Sequence, residues 1–163
     1  MVTTIYRAVE TAITFKDSGG SAVWTLQNLA SDAKRISARY DRGAGSLPSR
    51  YRWRAVIQWA ATPVIGQWIE FYIAGSDGTS ADGNIGTSDA ATLQVELWNM
   101  LHIGCVRVQT ATGAANNIAS GMVDIWDRYV SVGCWNQTST ALQNTANVSF
   151  LTLTPMPEVY LNA

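Results

Sequence analysis

The chain has 163 residues (17.7 kDa), 47% of them apolar, which is enough to bury a core without metal or disulfide and excludes a disordered tail. Only 14% are Asp, Glu, Lys or Arg, against roughly 25% in an average soluble domain. Uncharged polar residues must therefore cover much of the surface, as suits a protein that lives against other protein surfaces rather than a charge-solubilised cytosolic enzyme. With a net charge of −1, the molecule as a whole is neither a nucleic-acid magnet nor an acidic tail.

Short runs of β-branched and aromatic residues, separated by Gly, Ser, Asn, Asp and Pro, predict strands in chain order. The first three are 12–15, 22–26 and 35–41. The clearest is 51–60, where Tyr51, Trp53, Ala55, Ile57 and Trp59 share one face and Arg52, Arg54 and Gln58 the other. After Thr62-Pro63, the run 67–74 alternates again, with Ile69, Phe71 and Ile73 together, and reads as an antiparallel successor joined through 61–66. One or two helical turns are expected within 88–99, capped by Ser88 or Asp89, with Leu93 and Leu97 four apart. Strands follow at 101–109, 121–125, 128–135 and 148–154, with Asp127 in a tight connection. About nine short strands with no linker or repeat predict one all-β domain, a sandwich or barrel, over residues 1–163. Segments 41–49 and 75–87 are loops by composition, long enough to reach from the body.

Charge is unevenly distributed. Lys34, Arg35, Arg39, Arg42, Arg50, Arg52 and Arg54 face only Asp41, so segment 34–54 carries +6, while 55–163 carries two basic and eight acidic residues, −6. Such a segment is either neutralised within the fold or offered to an acidic partner.

Candidate chemistry is sparse. The lone His102 cannot build a multi-histidine metal site, and no Gly-x-Ser-x-Gly elbow exists for it to serve, so a core or interface histidine is the simpler reading. Asp77, Asp82, Asn84 and Asp89 invite a calcium test, but their spacing is not that of an EF-hand and turn-forming Asp-Gly pairs explain them as well. Glu70, Asp124 and Asp127 are carboxylates a glycosidase could use, although solvent-facing strand positions account for Glu70 and Asp124. No phosphate loop or dinucleotide fingerprint is present, and neither metal nor cofactor is expected. Cys105 and Cys134 sit in apolar runs and read as small buried hydrophobes, with one inter-strand bridge as the alternative. Seven tryptophans (Trp24, Trp53, Trp59, Trp68, Trp98, Trp126 and Trp135) read mainly as core or subunit-interface anchors; a sugar-binding module would use exposed ones. No run approaches the length of a membrane helix, and the opening residues carry no charged start followed by an apolar core, so no secretory signal is expected.

Several blocks resemble a family of small virion structural proteins of tailed bacteriophages: 36–41 (ISARYD), 51–55 (YRWRA), 71–78 (FYIAGSDG), 83–90 (GNIGTSDA), 127–132 (DRYVSV) and 153–157 (LTPMP). The resemblance runs over roughly residues 12–157 and none of its blocks is a catalytic motif. It implies a jelly-roll-like antiparallel β-sandwich and a non-enzymatic role as a capsid cement (decoration) protein. Such a protein binds the outside of the major capsid protein as a homo-oligomer, a trimer, without nucleic acid or membrane. Its place is the capsid surface of a virion assembled in the cytoplasm of a bacterial host. The alternative is a carbohydrate- or receptor-binding module of a phage tail or fibre. Arginine suits interface ion pairs with a partner's carboxylates, so Arg39, Arg42, Arg50, Arg52 and Arg54, around the 41–54 loop, are the expected capsid or subunit contacts.

Overall fold

The computed structural model describes residues 4–5, 10–45, 47–78, 88–156 and 160–161. Thirteen strands and one short helix follow one another: β1 (Thr4–Ile5), β2 (Ile13–Lys16), β3 (Ala22–Val23), β4 (Lys34–Ile36), β5 (Tyr40–Asp41), β6 (Arg50–Ile57), β7 (Trp68–Ser76), β8 (Ala90–Ala91), α1 (Gln94–Leu97), β9 (Leu101–Arg107), β10 (Asn117–Asp124), β11 (Tyr129–Asn136), β12 (Phe150–Pro155) and β13 (Tyr160–Leu161).

Two sheets face each other. One runs β10-β6-β12-β2-β3; the other runs β8-β4-β11-β7-β9, with β5 also on β11, and β1 pairs with β13 apart from both. Every pairing except β2 with β3 is antiparallel. The long strands form nested pairs, β2–β12, β4–β11, β6–β10 and β7–β9, and the chain alternates between sheets as it winds through them. That order is the double Greek key of a jelly roll, the architecture the sequence blocks implied.

Alternation builds the layers. Tyr51, Trp53, Ala55, Ile57 and Trp59 are buried from one sheet, and Ile69, Phe71, Ile73, Val130, Val132 and Cys134 from the other. Trp24 packs edge-on to Phe71 at 6.1 Å. Fully burying such side chains stabilises by roughly 1.5–3 kcal/mol each. Two glycines exist for Trp53: a Cβ on Gly104 or Gly121 would stand 2.7 or 2.6 Å from its indole, so neither β9 nor β10 could approach with a side chain there.

Several expectations need correction. The runs 51–60 and 67–74 do not pair; β6 and β7 lie in opposite sheets, because the 61–66 connection crosses between layers. The run 35–41 breaks into β4 and β5 at Ser37, whose buried hydroxyl bonds Val132 N–H and Ser131 instead of continuing the ladder unbroken. β10 begins four residues before the expected 121, where Asn117, Ala119 and Ser120 give no strand signal of their own. Trp135 is half-buried on the outer face of its sheet, its N–H donating to Asp32 and Lys34 lying over its ring. The single helical turn of α1 falls within the expected segment and lays Leu97 and Met100 against Gly133, Ile36 and Tyr72, covering part of that same outer face. Both cysteines are free thiols, Cys134 buried and Cys105 half-buried; burial pushes the Cys134 thiol well above its ordinary range. No helix among the described residues is long and apolar enough to cross a membrane.

Candidate functional site

Ion pairs decide what remains of the basic segment. Lys34 pairs with Asp32, Arg35 bidentately with Asp89, and Arg50 with Asp124. Asp41, the one acid of the segment, is taken by Arg128 from outside it. Arg39 stacks on Tyr129 with its guanidinium carbon 4.2 Å from the ring centre. With Arg42 beside Glu10, four of the seven cations of the segment are neutralised inside the fold, and Arg39, Arg52 and Arg54 have no carboxylate partner among the described residues.

Arg42 is not a surface contact, and this corrects the expectation for it. Its side chain is 0% exposed. The guanidinium lies 3.5 Å from the Glu10 carboxylate and donates to the carbonyls of Ile125 (3.2 Å), Asp127 (2.6 Å) and Pro48, and to the Tyr51 hydroxyl. Tyr51 in turn donates to Glu10, and burial pushes its phenol well above the ordinary range. A planar five-donor fork satisfies several convergent carbonyls where a lysine could not. Its role is positional: it clamps the β10–β11 connection from beneath.

Arg52 and Arg54 are different. Both are exposed on the outer face of β6, a strand with neighbours on both sides, and among the described residues neither has an ion-pair or hydrogen-bond partner. Register places Met122 and Thr154 beside Arg52, and Ser120 and Thr152 beside Arg54. The rows above and below bring Ile118 and Met156, both exposed, and the Arg50–Asp124 pair. The outer sheet face thus presents two arginines, their positions roughly 7 Å apart along the strand, among Thr, Ser, Met and Ile. Arg and Met are enriched, and Asp and Glu depleted, at the centres of protein interfaces.

A second feature lies at one end of the sandwich. β9 is bulged, with Phe71 opposite Gly104 but Tyr72 opposite His102, so Ile103 is the extra residue and Gly104 takes φ +147°. Bulges re-aim side chains near sites, and here His102 and Leu101 come to the edge facing β10. His102 is on the surface, its ring edge-on to Tyr72 at 5.2 Å, and not in the core. An open groove of about 550 Å³ runs between Leu101–Ile103 and Met122–Asp124, bordered by Arg50. A smaller cavity of about 190 Å³ continues it past Leu101 and Asp124 to Trp126 and Asp127. Trp126, at the tip of the clamped connection, is 76% exposed, and Leu101 is 59% exposed. Sequence reading named Trp126 only as one of seven tryptophans and Leu101 only as the start of a strand.

The remaining candidates separate. Glu70 accepts from Trp68 and Tyr72 on the second sheet, away from Asp124 and Asp127, which border the groove. Asp89 is committed to Arg35 and to Thr25 N–H, and Asp82 and Asn84 lie outside the described residues. Among the described residues no three His, Cys, Asp or Glu side chains gather as metal ligands.

No protein-family model matches the chain, and no curated protein matches its sequence.

Proposed function

We propose that the chain is a non-enzymatic structural protein of a phage particle, a capsid cement protein that binds the outside of the major capsid protein and stabilises the head. The observation that carries this reading is the outer face of β6, where Arg52 and Arg54 stand without carboxylate partners amid exposed Met122, Met156 and Ile118. Two unneutralised guanidinium groups on the outer face of a sheet suit the carboxylates of a partner protein. They are too few for nucleic acid, where affinity comes from neutralising many phosphates. The jelly roll supports the reading as a body that resists deformation, and such sandwiches occur in viral shells, although they also occur elsewhere. The resemblance of the sequence blocks to small phage virion proteins points the same way. Several weak contacts act together when the protein is a trimer bridging neighbouring capsomers, so modest affinity per subunit suffices.

The test is occupancy. Capsids stripped of the chain are incubated with the wild type and with the Arg52→Ser/Arg54→Ser variant, and bound protein is quantified at increasing salt. The reading expects the variant to bind at least about tenfold more weakly, since charged interface hydrogen bonds are worth roughly 1.5–3 kcal/mol each. Equal occupancy of variant and wild type would remove this face from the contact.

A further inference from the structure

The geometry points to a glycan-binding site at the end of the sandwich, which adjoins the proposed capsid face at Arg50, Met122 and Asp124: the Trp126 indole is a platform for a pyranose ring, and the groove beside it supplies the hydrogen bonds to its hydroxyls.

A tryptophan on a tight connection is ordinarily turned into the core or replaced, because exposed indole is costly in water. Here the connection is instead held by its backbone with Trp126 76% exposed. Arg42 bonds the carbonyls on both sides of it, those of Ile125 and Asp127. Ile125 N–H is fixed by Ser49 O at 2.7 Å, and Arg42 N–H by Arg128 O at 2.9 Å. The preceding residue, Ile125, is buried and anchors the segment. The backbone that carries the platform is therefore held in place before any ligand arrives, so little backbone entropy is lost on binding.

Two polar groups beside it, those of Asp127 and His102, are unspent among the described residues. Among the described residues the Asp127 carboxylate has no hydrogen-bond partner, and neither does the His102 imidazole. Arg50 and Asp124, paired at 3.0 Å, border the same groove and offer a donor and an acceptor side by side. Asp127 is aimed by an absence: its carboxylate lies across Gly75, where a Cβ would stand 1.9 Å from Oδ2. Sugars present apolar C–H faces and flanking hydroxyls that both donate and accept. One exposed aromatic ring beside neutral, acidic and basic hydrogen-bonding groups matches that chemistry. A protein partner fits less well. The centre of a protein interface is depleted of charge, whereas this groove is concave, of ligand-sized volume, and rimmed by charged side chains. The inference does not rest on the cement role, since the groove lies at the β9–β10 edge and its platform belongs to neither sheet face.

The test begins with the purified full-length chain on a printed array of neutral, N-acetylated and acidic oligosaccharides, followed by calorimetric titration with the best-bound oligosaccharide. The wild type binds a restricted set of these glycans. Trp126→Ala weakens binding about tenfold or more, while Trp126→Phe, which keeps a stacking ring, stays within a few-fold. Gly75→Ala reproduces part of the loss by displacing Asp127, and Asp127→Asn separates charge from position. Because Trp126 is exposed, its alanine variant keeps the wild-type unfolding midpoint, so lost binding is not lost folding. No selective binding by the wild type, or equal affinity of Trp126→Ala and the wild type, overturns the proposal. Loss of capsid occupancy in Trp126→Ala without any sugar affinity would assign the turn to a protein partner and also overturn it. Capsid occupancy by the wild type is measured alongside: sugar binding without occupancy contradicts the cement reading alone, and occupancy without sugar binding contradicts this inference alone.

Discussion

Arg42 shows how much one buried cation can organise. It ties the Glu10 end of the described body, the carbonyl of Pro48 and both flanks of Trp126 to a single guanidinium. Removing one partner of a buried pair leaves the other charge uncompensated, which costs roughly 3–5 kcal/mol. Arg42→Ala should accordingly lower stability in urea unfolding by about that amount, and a loss under about 1 kcal/mol would show that Glu10 and the carbonyls are solvated without it. The exposed pair Arg128–Asp41 behaves otherwise. The Arg128 guanidinium, helped by Gly43 N–H, lowers the Asp41 carboxyl from its ordinary 3.8 to about 2. A depressed carboxyl contributes stability above its unfolded value and loses it as pH falls through the folded one. The difference in thermal midpoint between the wild type and Asp41→Asn should be constant above pH ~5 and vanish between about pH 4 and pH 2. It should also be small and shrink with salt, because the pair is in water; a gap that widened on acidification would contradict the assignment.

Among the elements, β6 was the most legible in sequence and also the most informative. Its four-residue apolar face (Tyr51, Trp53, Ala55 and Ile57) and its Arg52/Arg54 face follow directly from period-two alternation, which needs only the strand's own residues. Which strands flank it did not follow, because pairing in a jelly roll joins segments far apart in the chain; β6 lies between β10 and β12. The same reason hid the fate of Arg42. Nothing local distinguishes it from Arg39 or Arg50, and only the return of Glu10, Pro48 and the 125–127 connection to one place buries it. The short strands β1, β8 and β13 carry two residues each, too few for alternation to register. The groove was illegible for a further reason: it depends on a one-residue bulge in β9, visible only once Tyr72 is set opposite His102. Because Arg52 and Arg54 touch no partner within the described residues, the double serine variant that should weaken capsid binding should leave the unfolding midpoint within about 0.5 kcal/mol of wild type. A cooperative loss of stability would instead mean that the face is held together by those arginines.

At the scale of the molecule, a sandwich with nested strand pairs and glycines shaped around Trp53 is a stiff body with distinct surfaces. The outer face of the β6 sheet offers unpaired arginines and the β9–β10 end a clamped tryptophan, while α1 and Leu97 close part of the opposite sheet. The low charge of the chain accords with the proposed attachment to a protein partner. The proposed attachment to a capsid through the β6 face is most directly tested by imaging particles that contain the chain at a resolution that traces strands. The account predicts density on the outside of the shell, repeated at the symmetry-related sites of the capsid lattice, with Arg52 and Arg54 turned toward acidic side chains of the capsid protein. Density confined to a few copies at the tail, or a subunit whose β6 face looks outward to solvent, would contradict it.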